Sequence, residues 1–212
     1  LRSLDTVLVE AKTGWSLDDL YALLQATLTL SSEPMAIVTP ESFIAAGLAE
    51  DAWKRLQADF VHGLDEPNSG YLTPLDSGKA ELDFKPLFAL PNGHLLIIMP
   101  SLACLGFYEA ATRALRNAKY PELDSCLGRA VEAVAVDALK RSGLNVTVEG
   151  GEYRLPGTPL GKTSGECDIV VETETMIVLI ELKKKPLRRI SSSGDPAAGL
   201  VDLSASLFAA QE

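Results

Sequence analysis

The chain has 212 residues, 47% of them hydrophobic, which is enough for one large domain or for two small domains with a core each. Its 19 Lys and Arg against 29 Asp and Glu give a net charge of −10, which excludes a general attraction to nucleic acid, so a polyanion would have to bind at a local basic patch. Three cysteines without a CxxC pair, two histidines and no apolar run long enough to span a bilayer predict a cytoplasmic protein with reduced thiols, no zinc and no membrane contact.

The first half of the sequence alternates between strand and helix patterns. Residues 6–11 (TVLVEA) predict a strand, and Ser16 with Asp19 three residues later predicts a capping box at the start of a helix. A strand is expected over residues 35–39, and Pro40 opens the next helical stretch.

The same alternation continues to Pro121, where we place a domain boundary. A helix is expected to resume near Asp51, and the polar residues 63–80, with several Gly and Pro, predict a long surface loop. The turn signal Pro91-Asn92-Gly93 predicts a hairpin, so this part is completed by strands over 84–90 and 94–99 and a helix over 101–118. We therefore expect residues 1–120 to form a smaller α/β accessory region of unknown role.

Residues 121–212 predict a helix, several strands and a second helix. The first helix, over 125–141, has an apolar stripe formed by Leu127, Val131, Val134 and Ala138. The elements expected after it are short strands at 145–149 and 153–155, a hairpin at 167–183 and a helix near 197–211. Because the first residue is Leu and not Met, we expect a piece of a longer protein or a processed chain.

The hairpin, GECDIVVETETMIVLIELKKK over 165–185, carries the most informative side chains. Asp168 lies near the start of its first strand, and Glu181 and Lys183 lie at the end of its second. A turn at Thr173-Glu174 would put all three on one side of the sheet, with Asp168 diagonal to Glu181 at about 7–8 Å. Any even loop length keeps this arrangement, whereas an odd loop or a bulge would move Asp168 to the other face.

Two carboxylates and an ammonium beside a core are costly unless they bind something. Asp168 and Glu181 would hold Mg²⁺ or Mn²⁺ together with the Leu182 carbonyl and waters. Lys183 would orient a water nucleophile or stabilise negative charge during phosphodiester hydrolysis. The plainer alternative is that Asp168 begins a strand after a loop, and that residues 181–183 leave the core for solvent.

Two further features accompany this group. Glu132, on the first helix, has Gly128, Ala135 and Val136 as neighbours one turn away, so it is not on a solvated face, although a Glu at a stripe edge that reaches water is the more common case. A basic run after the hairpin would contact phosphates near the scissile bond, or would simply be a solvated loop; its members are Lys184, Lys185, Arg188 and Arg189.

In this order, the helix with Gly128-Arg129-Ala130-Val131-Glu132, the strand Asp168-Ile169-Val170 and the strand end Ile180-Glu181-Leu182-Lys183 resemble the PD-(D/E)xK nuclease superfamily, particularly its restriction-endonuclease-like and Holliday-junction-resolvase-like domains. The resemblance implies a core of a helix, a mixed β-sheet and a second helix, with Asp on the second core strand and Glu-x-Lys on the third. It implies that Asp168 and Glu181 are metal ligands, that Lys183 is catalytic and that Glu132 is the helix carboxylate of some branches.

Two functions follow as expectations. The first is an α/β protein whose residues 121–212 form a restriction-endonuclease-like core, a Mg²⁺- or Mn²⁺-dependent endo- or exodeoxyribonuclease that hydrolyses DNA by metal-activated water attack. The second is a catalytically inert nuclease-like fold that binds nucleic acid or protein in a larger assembly. The sequence stops soon after the second helix, so the final core strand of the resembled fold is missing or supplied elsewhere. A homo-oligomer is also expected, because a second subunit would complete this strand.

Overall fold

The computed structural model of the chain describes residues 4–31, 34–65, 67–73, 76, 79, 85–154, 164–182, 191 and 195–205. They form seven α-helices and seven strands in a mixed α/β arrangement, as predicted. The described residues fall into two units. The N-terminal unit contains Leu4–Leu123 and the described part of 187–202, and the C-terminal unit contains the described part of Asp124–Pro186 and residues 203–205. The N-terminal unit is the larger one, contrary to the expectation of a smaller accessory region.

The N-terminal unit combines helices with one four-stranded sheet. The sheet has the order β1-β4-β3-β2, with β2 and β3 parallel and the other pairs antiparallel, so it is mixed. The predicted capping box, the strand near residue 36 and the hairpin are confirmed. The predicted helices before and after the hairpin are confirmed as well. The elements are α1 (Thr6–Thr13), α2 (Leu17–Leu30), β1 (Ala36–Val38), α3 (Pro40–Ala45), α4 (Glu50–Phe60), β2 (Val61–His62), β3 (Leu87–Ala89), β4 (Leu95–Ile97) and α5 (Pro100–Asn117).

Aromatic side chains fill much of the core of this unit. Trp15 meets Phe60 edge to face with 5.6 Å between ring centroids, and Phe60 lies 5.7 Å from Phe107. Phe43 stacks on Trp53 at 5.3 Å. Each such pair contributes about 0.5–1.5 kcal/mol beyond the burial of its area. These contacts join α3 to α4, α4 to α5, and α4 to the segment between α1 and α2 that contains Trp15.

The predicted strand over residues 6–11 is wrong, because these residues form α1. The Asp5 side chain caps the helix by accepting a hydrogen bond from the Leu8 N–H at 3.1 Å, and Gly14 ends it with a φ of 82°. Val9 is fully buried whereas Val7 is 76% exposed, so Val9 is the residue through which this helix packs on the core. The two caps outweigh the weak strand preference of the β-branched residues.

The capping box of α2 leads to a prediction about stability and pH. Asp19 accepts hydrogen bonds from the Ser16 N–H at 3.0 Å and from Arg55 Nη2 at 2.9 Å. Burial by itself would raise the pKa of Asp19, but these bonds outweigh it and hold the pKa below its ordinary value of 3.8. A carboxylate with a lowered folded-state pKa stabilises the protein above its unfolded-state pKa, and that stabilisation is lost as the pH falls through the folded-state pKa.

We therefore expect Asp19→Asn to lower the free energy of unfolding by about 1 kcal/mol at pH 7, with a difference that shrinks below pH 3.8. Urea unfolding followed by tryptophan fluorescence measures this, because the only tryptophans, Trp15 and Trp53, lie in this unit. Asp18→Asn is the matched control, since Asp18 lies in the same helical turn outside the capping box. Equal losses in the two variants at pH 7 would contradict the prediction.

The C-terminal unit consists of one long helix and a three-stranded antiparallel sheet. Its elements are α6 (Leu123–Arg141), β5 (Asn145–Arg154), β6 (Ser164–Glu172) and β7 (Ile177–Ile180), with the sheet order β5-β6-β7. The predicted mixed sheet is not seen here, because all the described strands of this unit are antiparallel.

The last helix, α7 (Pro196–Leu203), overlaps the predicted helix at 197–211, of which residues 206–211 lie outside the described part.

The face of α6 that packs on the sheet differs from the predicted stripe. Val136 is buried against β6, with Ala135 and Leu139 packed beside it. Val134, by contrast, is 67% exposed, and Val131 is 37% exposed. The helix has apolar residues on two faces, and the face with Ala135 and Val136 is the one that packs on the sheet. The apolar pattern of the sequence does not decide between the two faces.

The predicted strands at 145–149 and 153–155 are a single strand, β5, over the part that the structure describes. Gly150 and Gly151 lie between the two predicted strands. Instead, Gly150 takes a φ of 69°, and a bulge lies between Val146 and Val148, so the strand continues along β6. The bulge and the positive φ absorb the irregularity within one ladder.

Candidate metal site on the sheet of the C-terminal unit

The tip of the β6–β7 hairpin determines which side chains meet. Thr173 closes it, because its N–H donates to the Met176 carbonyl at 2.9 Å and its Oγ1 accepts from the Met176 N–H at 3.1 Å. Glu174 and Thr175 form the tip, one residue later than the predicted turn. The loop keeps an even number of residues, so the alternation of side chains between the two faces is unchanged.

The β6–β7 ladder ends at the pair Ile169–Ile180. Asp168 precedes the first of these residues and Glu181 follows the second, so they occupy the next positions along the two chains, just beyond the last pair. Ile169, Ile180 and Leu182 all belong to the hydrophobic cluster under α6. Since side chains alternate along a strand, Asp168 and Glu181 project from the opposite, outer face of the sheet.

The register differs from the predicted one, in which Asp168 was diagonal to Glu181. The shift of the turn by one residue moved the pairing by two positions along β7, which preserved the face. In a continued ladder the two residues would be directly opposed, where Cα atoms are about 4.5–5.5 Å apart, against about 7–8 Å for a diagonal. Asp168 is half-buried and Glu181 is exposed.

The Asp168 carboxylate also contacts the backbone of the neighbouring strand. Its Oδ2 accepts a hydrogen bond from the Leu182 N–H at 2.5 Å. Among the residues that the structure describes, this is the only hydrogen-bond partner of Asp168, so Oδ1 is not engaged by any of them. A backbone donor on one oxygen fixes the orientation of the carboxylate.

Sequence reasoning missed this backbone contact, because it assigned only the carbonyl of Leu182 to the site. No sequence signal reveals the contact without the strand register. Cys167, which stands where the name of the resembled superfamily has Pro, is buried beside it, and its Sγ lies 3.3 Å from the Ile169 carbonyl oxygen and 3.8 Å from that of Ile180. The small apolar thiol therefore packs the strand end without competing for the carboxylate.

Glu132 lies on the other side of the sheet from this pair of carboxylates. It is half-buried on α6, one helical turn before Ala135 and Val136, which places it on the face that packs against β6. The described part of the chain contains no group of three or more His, Cys, Asp or Glu side chains arranged to hold a metal. The structure therefore does not bring Glu132 together with Asp168 and Glu181 into one cluster.

The other predicted site residues lie outside the described part of the chain. They are Lys183, Lys184, Lys185, Arg188 and Arg189. Their roles stay predictions from the sequence.

The outer face around the two carboxylates is apolar. Val148 pairs with Val170, and Val170 pairs with Leu179, which gives one row of apolar side chains across the three strands. Leu179 is 65% exposed and Val148 is 37% exposed. The same face ends at Glu172, beyond this row and at the opposite end from Asp168.

Comparison with known proteins identified no relative: no family model matches the sequence, and neither does any curated protein or solved structure. Of the helices in the described ranges, none combines the length and the apolar character required for a membrane crossing.

Proposed function

We propose that the C-terminal unit is the catalytic core of a Mg²⁺- or Mn²⁺-dependent nuclease that hydrolyses DNA phosphodiester bonds, with the restriction-endonuclease-like fold expected from the sequence. One observation carries the proposal. Asp168 and Glu181 lie just beyond the last pair of the β6–β7 ladder, Ile169–Ile180, and alternation along the two chains directs both to the sheet face opposite α6.

Two carboxylates on one face of a sheet are together a favourable site for a divalent cation. Hard divalent cations prefer oxygen ligands, and Mg²⁺ in particular is held by one or two carboxylates with waters in its remaining positions. The donor set of Asp168 and Glu181 fits this requirement. The Oδ1 atom of Asp168 and the exposed carboxylate of Glu181 are the proposed ligand atoms on this face.

Leu182 supports the same site through its backbone. Its N–H holds Oδ2 of Asp168, which keeps that carboxylate turned towards the end of β7. A residue in extended backbone presents its N–H and its carbonyl to the same neighbouring strand. The Leu182 carbonyl is therefore the proposed third oxygen ligand.

Lys183 is the proposed catalytic cation, by its place in the Glu181-Leu182-Lys183 motif. Its ammonium would orient the attacking water or stabilise charge on the phosphorus oxygens. Glu132 packs on the α6 side of the sheet, so it is not part of the proposed ligand set, and its role stays an expectation from the resemblance.

The reaction is an attack by water on phosphorus that breaks a P–O bond and leaves a phosphate monoester and a hydroxyl. A bound divalent cation would lower the pKa of the attacking water and neutralise charge on the phosphate. Asp168 and Glu181 hold it, and Lys183 donates hydrogen bonds to the developing oxyanion. Lys184, Lys185, Arg188 and Arg189 would bind the DNA backbone next to the scissile phosphate.

A Mn²⁺ titration tests the site separately from catalysis. We expect Glu181→Ala to weaken Mn²⁺ binding by more than about tenfold, because one of two charged ligands is lost. Glu172→Ala is the matched control, since Glu172 is an exposed carboxylate on the same sheet face at its other end. Calorimetry on the wild-type chain and both variants measures the effect.

Two results of that titration would contradict the proposal: a wild-type chain that binds no Mn²⁺, or equal binding by both variants. The first would favour the second candidate function, an inert nuclease-like module that docks other molecules. One observation favours that module, namely the exposed apolar row of Val148, Val170 and Leu179 beside the carboxylates. Capture of a partner by residues 1–120 without metal binding would support it.

A further inference from the structure

A cleft of about 610 Å³ lies between α4, the end of β2 and the β3–β4 hairpin, and we call it the α4 cleft. All the described residues that line it belong to the N-terminal unit, and none of them is a proposed metal ligand. Clefts of about 300–1,000 Å³ are typical of sites that bind small molecules. The α4 cleft is therefore large enough for a ligand with a compact ring system.

Most of the described lining of this cleft is apolar. Trp53 and Leu95 are buried walls, and Trp53 is held in place by Phe43, on which it stacks at 5.3 Å between ring centroids. Ala58 and Ala89 also line the cleft, and each contributes only a methyl group. Apolar walls around an open volume favour a compact apolar body, because its surface leaves water when it binds there.

The titratable groups in the described lining are both basic. Lys85 and His94 are half-buried in it, and none of the described lining residues is Asp or Glu. This bias stands out in a chain whose net charge is −10. A cation beside apolar walls attracts an anion more strongly than it would in water, because the effective dielectric constant there is lower. The charge of the lining therefore favours an anionic ligand.

The ammonium of Lys85 is fixed at the C-terminal end of α4. Its Nζ donates hydrogen bonds to the Ala58 carbonyl at 3.1 Å and to the Val61 carbonyl at 3.0 Å. The partial negative charge at the end of a helix stabilises a cation in this position. Because the side chain is already ordered, it loses little conformational entropy when it contacts a ligand.

His94 lines the same cleft from the hairpin. Its Nδ1 lies 3.3 Å from the carbonyl oxygen of Asn92, a contact that orients the imidazole ring. Glu41 lines the neighbouring groove and not this cleft. The pKa of Glu41 is lowered by a hydrogen bond with Thr39 and, among smaller causes, by the charge of His94, so this carboxylate already lies near the imidazole. Lys85 is therefore the principal anion-binding group, and His94 assists it.

We propose that the α4 cleft binds a small organic carboxylate, with the carboxylate at Lys85 and His94 and an apolar ring system against Trp53 and Leu95. A carboxylate with an apolar body fits this lining better than inorganic phosphate, because most of the lining cannot form hydrogen bonds to further oxygen atoms. The site lies in the N-terminal unit and needs no metal, so it does not depend on the proposed nuclease function.

The first test is a titration of the isotope-labelled 212-residue chain with naphthoate, followed by nuclear magnetic resonance. We expect saturable shifts with a dissociation constant of about 0.1–1 mM. The amides of Gly63 and Gly93, which line the cleft, are expected to shift most. Gly14 and Gly47 are the matched controls in the same unit outside the cleft, and their amides are expected to stay in place.

Two further probes separate the carboxylate from the apolar body. Naphthalenemethanol, which has the same rings and no charge, is expected to bind at least about fivefold more weakly than naphthoate. Inorganic phosphate is expected to bind at least about tenfold more weakly, because it has no apolar body. Equal binding of naphthoate and the alcohol would overturn the proposed carboxylate, and phosphate that binds as tightly as naphthoate would overturn the proposed apolar contact.

Variants of the two basic residues complete the test. Lys85→Gln is expected to weaken naphthoate binding by more than about fivefold, and His94→Gln by about threefold. Lys54→Gln is the matched control, because Lys54 is exposed on α4 and lines the neighbouring groove, and it is expected to bind as the wild type does. If Lys85→Gln does not fold for lack of its two carbonyl contacts, His94→Gln decides the outcome against the same control. Absence of saturable shifts up to about 10 mM naphthoate, or equal binding by the folded variants and the control, overturns the proposal.

Discussion

Asp168→Asn is expected to reduce metal-dependent DNA cleavage by at least about a thousandfold, which corresponds to roughly 4 kcal/mol of transition-state stabilisation. The substitution removes the charge proposed to hold the cation, while the side chain keeps nearly the same shape. The amide oxygen of Asn can still accept the hydrogen bond from Leu182 N–H, so the strand end is expected to stay in place.

Lys183→Ala is expected to separate binding from chemistry. Loss of one donor to the developing oxyanion costs about 10²–10³ in kcat. Mn²⁺ binding should remain, because Lys183 is not a proposed ligand. Asp168→Asn, in contrast, should lose both Mn²⁺ binding and cleavage, so the two variants together assign the two roles.

Single-turnover cleavage of duplex, branched and single-stranded DNA, with Mn²⁺ and with a chelator, measures both effects. Glu172→Gln is the control, because it removes an exposed carboxylate from the same strand at the far end of the sheet. Circular dichroism of each variant checks that the chain is folded. Full activity of Asp168→Asn, or wild-type cleavage that persists with the chelator, would refute the assignment.

The placement of the two carboxylates on one face could be predicted from the sequence, because it depends only on parity. Alternation along two strands joined by an even loop puts Asp168 and Glu181 on the same side whichever two-residue turn forms. Their separation could not be predicted. It depends on the side chain of Thr173, which accepts the Met176 N–H and moves the tip by one residue.

The errors in the fold have local physical causes. In α1 the strand preference of Val7 and Val9 was outweighed by Asp5 and Gly14, which cap the helix at its two ends. Both capping residues are visible in the sequence, whereas the β-branched residues between them favour a strand. In β5 the bulge after Val146 depends on pairing with a strand about 20 residues later, which no local pattern reports.

The sheet-facing side of α6 is a third case, and it bears on the site. The sequence predicted Val131 and Val134 in the core, yet Ala135 and Val136 pack on β6. Apolar periodicity fixes the existence of a helix, whereas the choice between two apolar faces depends on the shape of the sheet that it meets. The same choice turns Glu132 towards the sheet.

Gly106→Ala is expected to destabilise the N-terminal unit by about 2 kcal/mol, although alanine favours a helix by about 1 kcal/mol over glycine. A Cβ at position 106 of α5 would lie 2.8 Å from the carbonyl carbon of Lys85 and 2.8 Å from the nitrogen of Pro86. Both are backbone atoms directly before β3, whose first residue, Leu87, is fully buried, so this segment cannot move away without disturbing the sheet.

Gly199→Ala is the matched control in the same unit, because a Cβ there would have open space around it within α7. It is expected to be neutral or to stabilise by up to about 1 kcal/mol, through the helix preference alone. Urea unfolding followed by the fluorescence of Trp15 and Trp53 reports on this unit only. If Gly106→Ala were as stable as Gly199→Ala, the close approach of α5 to the chain before β3 would be wrong. Gly→Ala has the same effect on helix preference at both positions. A loss of stability at Gly106 without a loss at Gly199 therefore measures the steric contact alone.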